Sequence, residues 1–359
     1  MRVLVLTPSL YDTSPGSRFR IEQWARHLQR AGWQFTFVPF DDNALHSVLY
    51  KKRHYTTKSF HMLRRLAART AVLPLVLKHD VVFVYEEAAR LGPPLLERWI
   101  SRRRPLVYDF CDPIWLPYVS QSNNWLSYLK NFTKCDEICS LSDQVIVGNT
   151  LIGEFAKRFN SAVTVVPITI DMEQYGARDP SELPDGVPVV GWSGSASTRR
   201  HLESLVPVLD QLSARVRFRL KVIGTEQPDL RGLPFSFVPW RASTEVEDLQ
   251  SLDIGIMPIT TDRWSQLRTH LKVRQYMGVG VPAVATRAGI MHQIITDGSD
   301  GFLADSAQEW LEKLTRLIGD AVLRRKIGLA GRRTAEQQFS AQAWIPTVQR
   351  IFEAAASRS

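Results

Sequence analysis

Cysteine is scarce in this 359-residue chain: Cys111, Cys135 and Cys139 form no C-x-x-C pair and have no histidine pair nearby. Such a set supports neither a disulfide framework nor a zinc site, and a reducing cytoplasm is the expected setting. Long apolar runs are missing as well. The opening Met1-Arg2-Val3-Leu4-Val5-Leu6-Thr7-Pro8 is too short for a signal peptide, and no later stretch reaches the roughly 18 apolar residues of a spanning helix. No G-x-G-x-x-G follows the first strand, which sets aside a nicotinamide dehydrogenase. The most local absence is of negative charge. Between Asn43 and His79 there is no Asp or Glu, while Lys51, Lys52, Arg53, Lys58, Arg64, Arg65, Arg69 and Lys78 crowd the segment.

The whole chain carries a net charge of +9, so the molecules or surfaces it meets are expected to be anionic. Drawn as a helix, the basic segment places Phe60, Leu63, Ala67 and Ala71 near one face and Lys58, Arg65 and Arg69 opposite. That pattern predicts either a helix lying on an anionic membrane surface, with Arg102-Arg103-Arg104 reinforcing it, or a solvated basic helix. Nucleic acid is not expected, since no recognised motif and no alternation of aromatic and basic residues is present.

Apolar content of 44% and charged content of 23% suit a globular protein, and the length favours two domains. Short apolar runs at 2–6, 34–39, 80–85, 105–110, 144–148 and 163–167 alternate with helical stretches, the pattern of a parallel α/β sheet. Gly32 stops the first long helix, predicted over 18–31. Residues 168–186 turn to Asp, Glu, Pro, Gly and Ser, as a linker does. A second alternation follows, with strands predicted at 189–192, 219–223, 235–238, 254–258 and 283–286, a short returning strand near 303, and a terminal amphipathic helix over 341–356. Two α/β halves predict two facing domains with a cleft between them.

The loop Gly191-Trp192-Ser193-Gly194-Ser195-Ala196-Ser197-Thr198 follows a strand and opens a helix. Small residues there let backbone approach a ligand, and helix-start amides favour phosphate; a tight turn capped by Ser or Thr is the plainer alternative. In Arg268-Thr269-His270-Leu271-Lys272, two cations four residues apart are expected to share one helix face near its start. Cations at that end oppose the helix dipole, and an intervening diphosphate would reconcile them.

Next come Gln275-Tyr276-Met277-Gly278-Val279-Gly280-Val281-Pro282 and Thr296-Asp297-Gly298-Ser299-Asp300-Gly301. In this order, and together with Gly16-Ser17-Arg18-Phe19-Arg20, Tyr108-Asp109-Phe110-Cys111-Asp112, Asp143-Gln144-Val145-Ile146-Val147-Gly148-Asn149 and Val165-Val166-Pro167-Ile168, the motifs resemble the retaining glycosyltransferases of the large bacterial family that includes mannosyl-, glucosyl- and N-acetylglucosaminyl-type transferases.

The resemblance spans nearly the whole chain. It implies a GT-B fold: α/β, with two Rossmann-like doubly wound domains facing a central cleft, an acceptor domain over 1–168, a nucleotide-sugar domain over 169–340, and a helix over 341–359 returning to the first. It further implies transfer with retention from a UDP-, GDP- or dTDP-type sugar to an acceptor glycan, lipid-linked saccharide or small molecule, as in polysaccharide biosynthesis, with no metal and no cofactor beyond the nucleotide sugar. The enzyme would work in the cytoplasm or peripherally on the inner face of the membrane. By match to the motifs, Arg268 and Lys272 neutralise the leaving diphosphate, Asp109 and Asp112 position the acceptor or the sugar, and Gly16, Arg18, Gly194, Ser195, Trp240, Asp262 and Gln275 hold the donor.

The chain departs from the family at two places. In the E-x7-E pair that holds the ribose, Leu267 stands for the first glutamate and Gln275 for the second, so Asp262 is the candidate substitute. The family's frequent N-domain histidine is Cys111. These losses keep open a catalytically degenerate nucleotide-binding partner, and, less well supported, a nucleotide-sugar epimerase.

Overall fold

The structure, a computed structural model, describes residues 1–49, 51, 53–117, 131–178, 186–224 and 227–357. Lys52 of the basic segment lies outside them. The chain forms two compact units, one of Met1–Ile168 with Trp344–Ser359, the other of Thr169–Ala343.

The N-terminal unit is built on a six-stranded sheet of β1 (Arg2–Thr7), β2 (Gln34–Pro39), β3 (Val81–Tyr85), β4 (Leu106–Phe110), β5 (Gln144–Val147) and β6 (Val163–Val165), in the order β2-β1-β3-β4-β5-β6. The C-terminal unit repeats the plan with β7 (Val189–Gly194), β8 (Arg219–Gly224), β9 (Ser236–Pro239), β10 (Ile254–Met257), β11 (Ala283–Thr286) and β12 (Phe302–Ala304), in the order β12-β11-β10-β7-β8-β9. Every pairing is parallel. The strands stand where the short apolar runs predict them, with small shifts at their ends. Their composition explains the plan: β3 and β4 are buried along their whole length, as strands covered on both faces by crossover helices must be. Strand order reverses between β1 and β3 in one unit and between β7 and β10 in the other, and the crevice beyond the carboxyl ends of such strands is where α/β sheets take ligands.

The helix Ala341–Ala356, from Trp344 on, completes the N-terminal unit. Val348, Ile351, Phe352 and Ala355 share one buried cluster with Val3, Val5 and Phe83, and the Phe352 ring lies 5.7 Å from that of Phe83.

The basic segment folds as the helix Tyr55–Ala68 and two short helical pieces, with the two expected faces separated. Lys58 is wholly buried and donates to the Lys51 carbonyl at 2.6 Å. Arg65 donates to the Phe40 and Pro39 carbonyls, and Arg69 to those of Ala88, Val38 and Thr7. The cations therefore face the sheet, where carbonyls at strand ends need donors, and Phe60 and Leu63 face outward. No helix among the described residues is long and apolar enough to cross a membrane.

Candidate active site

At the switch point of the C-terminal unit, β7 leads into Gly194 and Ser195. The glycines are needed first for packing: a Cβ on Gly191 would sit 2.2 Å from Leu252, and one on Gly194 would sit 2.2 Å from the buried Trp192. Ser195 caps the turn Ala196–Thr198 through a capping box, and its own N–H donates to the Thr198 hydroxyl at 3.0 Å. At Ser195 the capped turn is thus realised, and that amide is already engaged. Two residues earlier, the Ser193 hydroxyl is buried with no hydrogen-bond partner among the described residues.

Across the switch point, the segment after β10 gathers the polar groups. Asp262 caps the helix Arg263–Leu267, accepting the Ser265 N–H at 3.0 Å, the Ser265 hydroxyl at 2.8 Å and the Thr260 hydroxyl at 2.5 Å, with Arg200 at 3.0 Å. Burial pulls its pKa upward, but these hydrogen bonds and Arg200 outweigh it and bring the pKa down to about 2. Asp262 is therefore a charged cap that organises the loop.

Arg268 and Lys272 do not share a helix face. His270 adopts a left-handed conformation (φ 53°), so Arg268 ends one short helix in extended backbone and Lys272 lies in the first turn of the next, Leu271–Gly278. The spacing of four is interrupted by this turn.

Two histidines report the local field. His270 is 6% exposed, and burial, then Arg268 and Arg274, lower its pKa to about 3. His201 is lowered to about 4 by burial and then by Arg200 and Arg268. Both imidazoles stay neutral at pH 7 where positive charge is in excess, so an anion arriving beside them would be stabilised. The His270 Nε2 is buried and has no partner among the described residues.

The helix Leu271–Gly278 carries the second group. Gln275 is fully buried; its Nε2 donates to the Tyr175 hydroxyl at 2.6 Å, and its Oε1 has no partner among the described residues. Tyr175 donates in turn to Glu245 at 3.1 Å, Trp240 donates its indole N–H to Glu245 at 2.9 Å, and the Lys272 ammonium is 3.6 Å from the same carboxylate. Trp240 and Lys272 directly, and Gln275 through Tyr175, thus converge on a buried Glu245 that sequence reasoning did not single out, although Trp240 and Gln275 were expected to hold the donor and Lys272 to neutralise the leaving diphosphate. Nor did it single out Tyr175, Arg200 or the two histidines. Only Arg200 left a visible signal, as part of the Arg199-Arg200 pair just beyond the glycine loop.

In the N-terminal unit the expected residues lie around the strand ends. Asp109 is fully buried, and both its oxygens accept from Arg20, at 2.6 to 2.9 Å. Arg20 also donates to the Val166 carbonyl at 2.8 Å, so the pair ties β4 to the chain beyond β6. This gives Asp109 a structural partner in place of a substrate hydroxyl. Asp112, three residues on, is partly exposed. Cys111 is buried 3.0 Å from the Tyr85 hydroxyl, and burial pushes its thiol pKa upward, so it stays protonated. Gly16 packs on that tyrosine, where a Cβ would lie 2.0 Å from the hydroxyl oxygen, and Arg18 pairs with Asp12 at 2.8 Å.

Residues 187–320, all in the C-terminal unit, match the family Glycosyl transferases group 1. The sulfoquinovosyl transferase SQD2 of Arabidopsis thaliana is 24% identical over 388 residues, covering 95% of this chain and 74% of that protein. Among solved structures, the sucrose-phosphate synthase (tll1590) of Thermosynechococcus elongatus is similar over 100% of both chains, with a TM-score of 0.72 and 15% identity. Anabaena Alr3699/HepE, solved in complex with UDP, covers 99% of this chain and 100% of its own, with a TM-score of 0.70 and 18% identity. The same protein has been solved with UDP-glucose. The fold is GT-B, and these findings support a glycosyltransferase of that fold.

Proposed function

We propose that this protein transfers a sugar, with retention, from a nucleoside diphosphate sugar to an acceptor hydroxyl, and that the C-terminal unit holds the donor. The observation that carries this reading is the pair of neutral histidines held among Arg200, Arg268 and Arg274 at the β7/β10 switch point, inside the segment that matches the glycosyltransferase family. A diphosphate supplies the negative charge that this field would stabilise, most of all as the bond to the sugar breaks and charge builds on the leaving oxygen. We assign that stabilisation to Arg268 and Lys272 without a metal ion, and the grip on the ribose to the Gln275 Oε1, which has no partner among the described residues and is a neutral acceptor where many members of the resembled family carry a carboxylate. The relative solved with UDP-glucose makes UDP the first nucleotide to try.

Thermal stabilisation by UDP, GDP, dTDP and CDP, with and without chelator, tests the donor site. One nucleotide is expected to raise the melting temperature in chelator, by about 2.7 kcal/mol of added stability at ~100 times its dissociation constant. Lys272→Ala is expected to lose most of that rise. No rise with any nucleotide overturns the assignment, and a rise without transfer or hydrolysis of the matching nucleotide sugar favours a nucleotide-binding partner that has lost activity, which the missing glutamates at Leu267 and Gln275 would explain.

A further inference from the structure

We propose that the outward face of the helix Tyr55–Ala68 is a docking surface for an anionic lipid bilayer, with Phe60 and Leu63 entering the headgroup boundary. Phe60 is 63% exposed and Leu63 67%, one helical turn apart, with Ala67 exposed on the next turn. Large apolar side chains in that position gain nothing from the fold, while the opposite face is firmly held. There Met62 packs in a cluster with Phe40, Leu45 and Leu49, Arg65 and Arg69 donate to carbonyls at the strand ends, and Lys58 donates to the Lys51 carbonyl. The helix is thus pinned by its cationic side and presents its apolar side.

Charge selects the occupant. No acidic residue lies between Asn43 and His79, and Arg69 is bonded to neutral carbonyls, which leave its charge in place. Arg64 and Arg65 both pair with Asp42, but Lys51 and Arg53, just before the first turn, are exposed. Two protruding apolar side chains in a positive field suit shallow insertion among anionic headgroups; a stable protein interface needs a larger complementary area. This surface does not draw on the donor chemistry, so either proposal can fail alone.

Co-sedimentation with vesicles of phosphatidylcholine, alone or mixed with phosphatidylglycerol, tests it. The wild type is expected to bind the mixed vesicles and to bind the neutral ones far more weakly. Phe60→Ala with Leu63→Ala, both on the exposed face, is expected to weaken binding by about tenfold or more. Lys51→Gln with Arg53→Gln is expected to weaken it about fivefold per cation. Unchanged melting temperatures establish that the variants fold. The native cysteines are buried, so a Phe60→Cys variant takes a polarity-sensitive dye selectively, and its emission is expected to shift to the blue on mixed vesicles. Equal vesicle binding by the apolar variant, or an unshifted dye, overturns the proposal. So does a self-associated form that the apolar variant dissolves while vesicles bind neither protein.

Discussion

Asp109 illustrates how residue identity and residue role part company. A carboxylate beside Cys111 and Asp112 at a strand end has the sequence features of a substrate ligand, yet the structure commits both its oxygens to Arg20 in a fully buried pair. Removing one partner of such a pair leaves a charge buried without compensation, at a cost of about 3–5 kcal/mol. Asp109→Asn is therefore expected to lower the urea midpoint sharply, whereas Asp112→Asn leaves it nearly unchanged and lowers turnover. Equal midpoints for the two variants would return Asp109 to the candidate catalytic groups. What hid the pair from the sequence is its separation: Arg20 and Asp109 are 89 positions apart, and only the β1-β3-β4 order brings them together. Glu245 was hidden for the same reason, since its partners Tyr175 and Lys272 come from other elements.

Elements were legible where one periodicity dominated. The described strands before β12 follow from short apolar runs and β12 from the turn before it, and buried strands such as β3 and β4 leave little choice of residue. The helix Tyr55–Ala68 also follows, but its orientation does not. Helical spacing separates two faces without saying which one meets the sheet, and here hydrogen bonds to strand-end carbonyls decided in favour of the cations. The segment between β10 and Leu271–Gly278 was legible in composition and illegible in shape, since a single left-handed residue, His270, separates Arg268 from Lys272.

That segment makes a prediction about pH. His201 and His270 titrate near 6.5 when unfolded and at about 4 and about 3 when folded, so between those values the unfolded chain binds more protons. Stability is full above pH 6.5 and falls as pH drops below it, by up to about 1.4 kcal/mol per pH unit for each histidine. Asp262, at about 2 when folded, contributes stability that is lost as pH falls from the ordinary carboxylate pKa toward 2, so it adds nothing between pH 7 and 5. His270→Asn suits the left-handed turn and should flatten the profile of urea midpoint between pH 7 and 5. Identical profiles for wild type and variant would contradict the buried neutral imidazole.

At the scale of the molecule, two parallel sheets could be anticipated from the second alternation of strands after the linker. The membership of the helix Ala341–Ala356 came instead from the resemblance, and the packing now gives it a physical basis: its residues Val348, Ile351 and Phe352 are part of the core around β1 and β3. Phe352 is fully buried, and Phe352→Ala is expected to cost about 3–5 kcal/mol, read as faster proteolysis within residues 1–168 while residues 169–343 stay protected. Proteolysis that spares the first segment, or that attacks both equally, would argue against this local role. The same packing sets an order of events on the ribosome. The N-terminal unit is translated first but lacks one wall of its core until residues 344–356 emerge, so the C-terminal unit, whose residues are all made by then, is the one free to finish folding earlier.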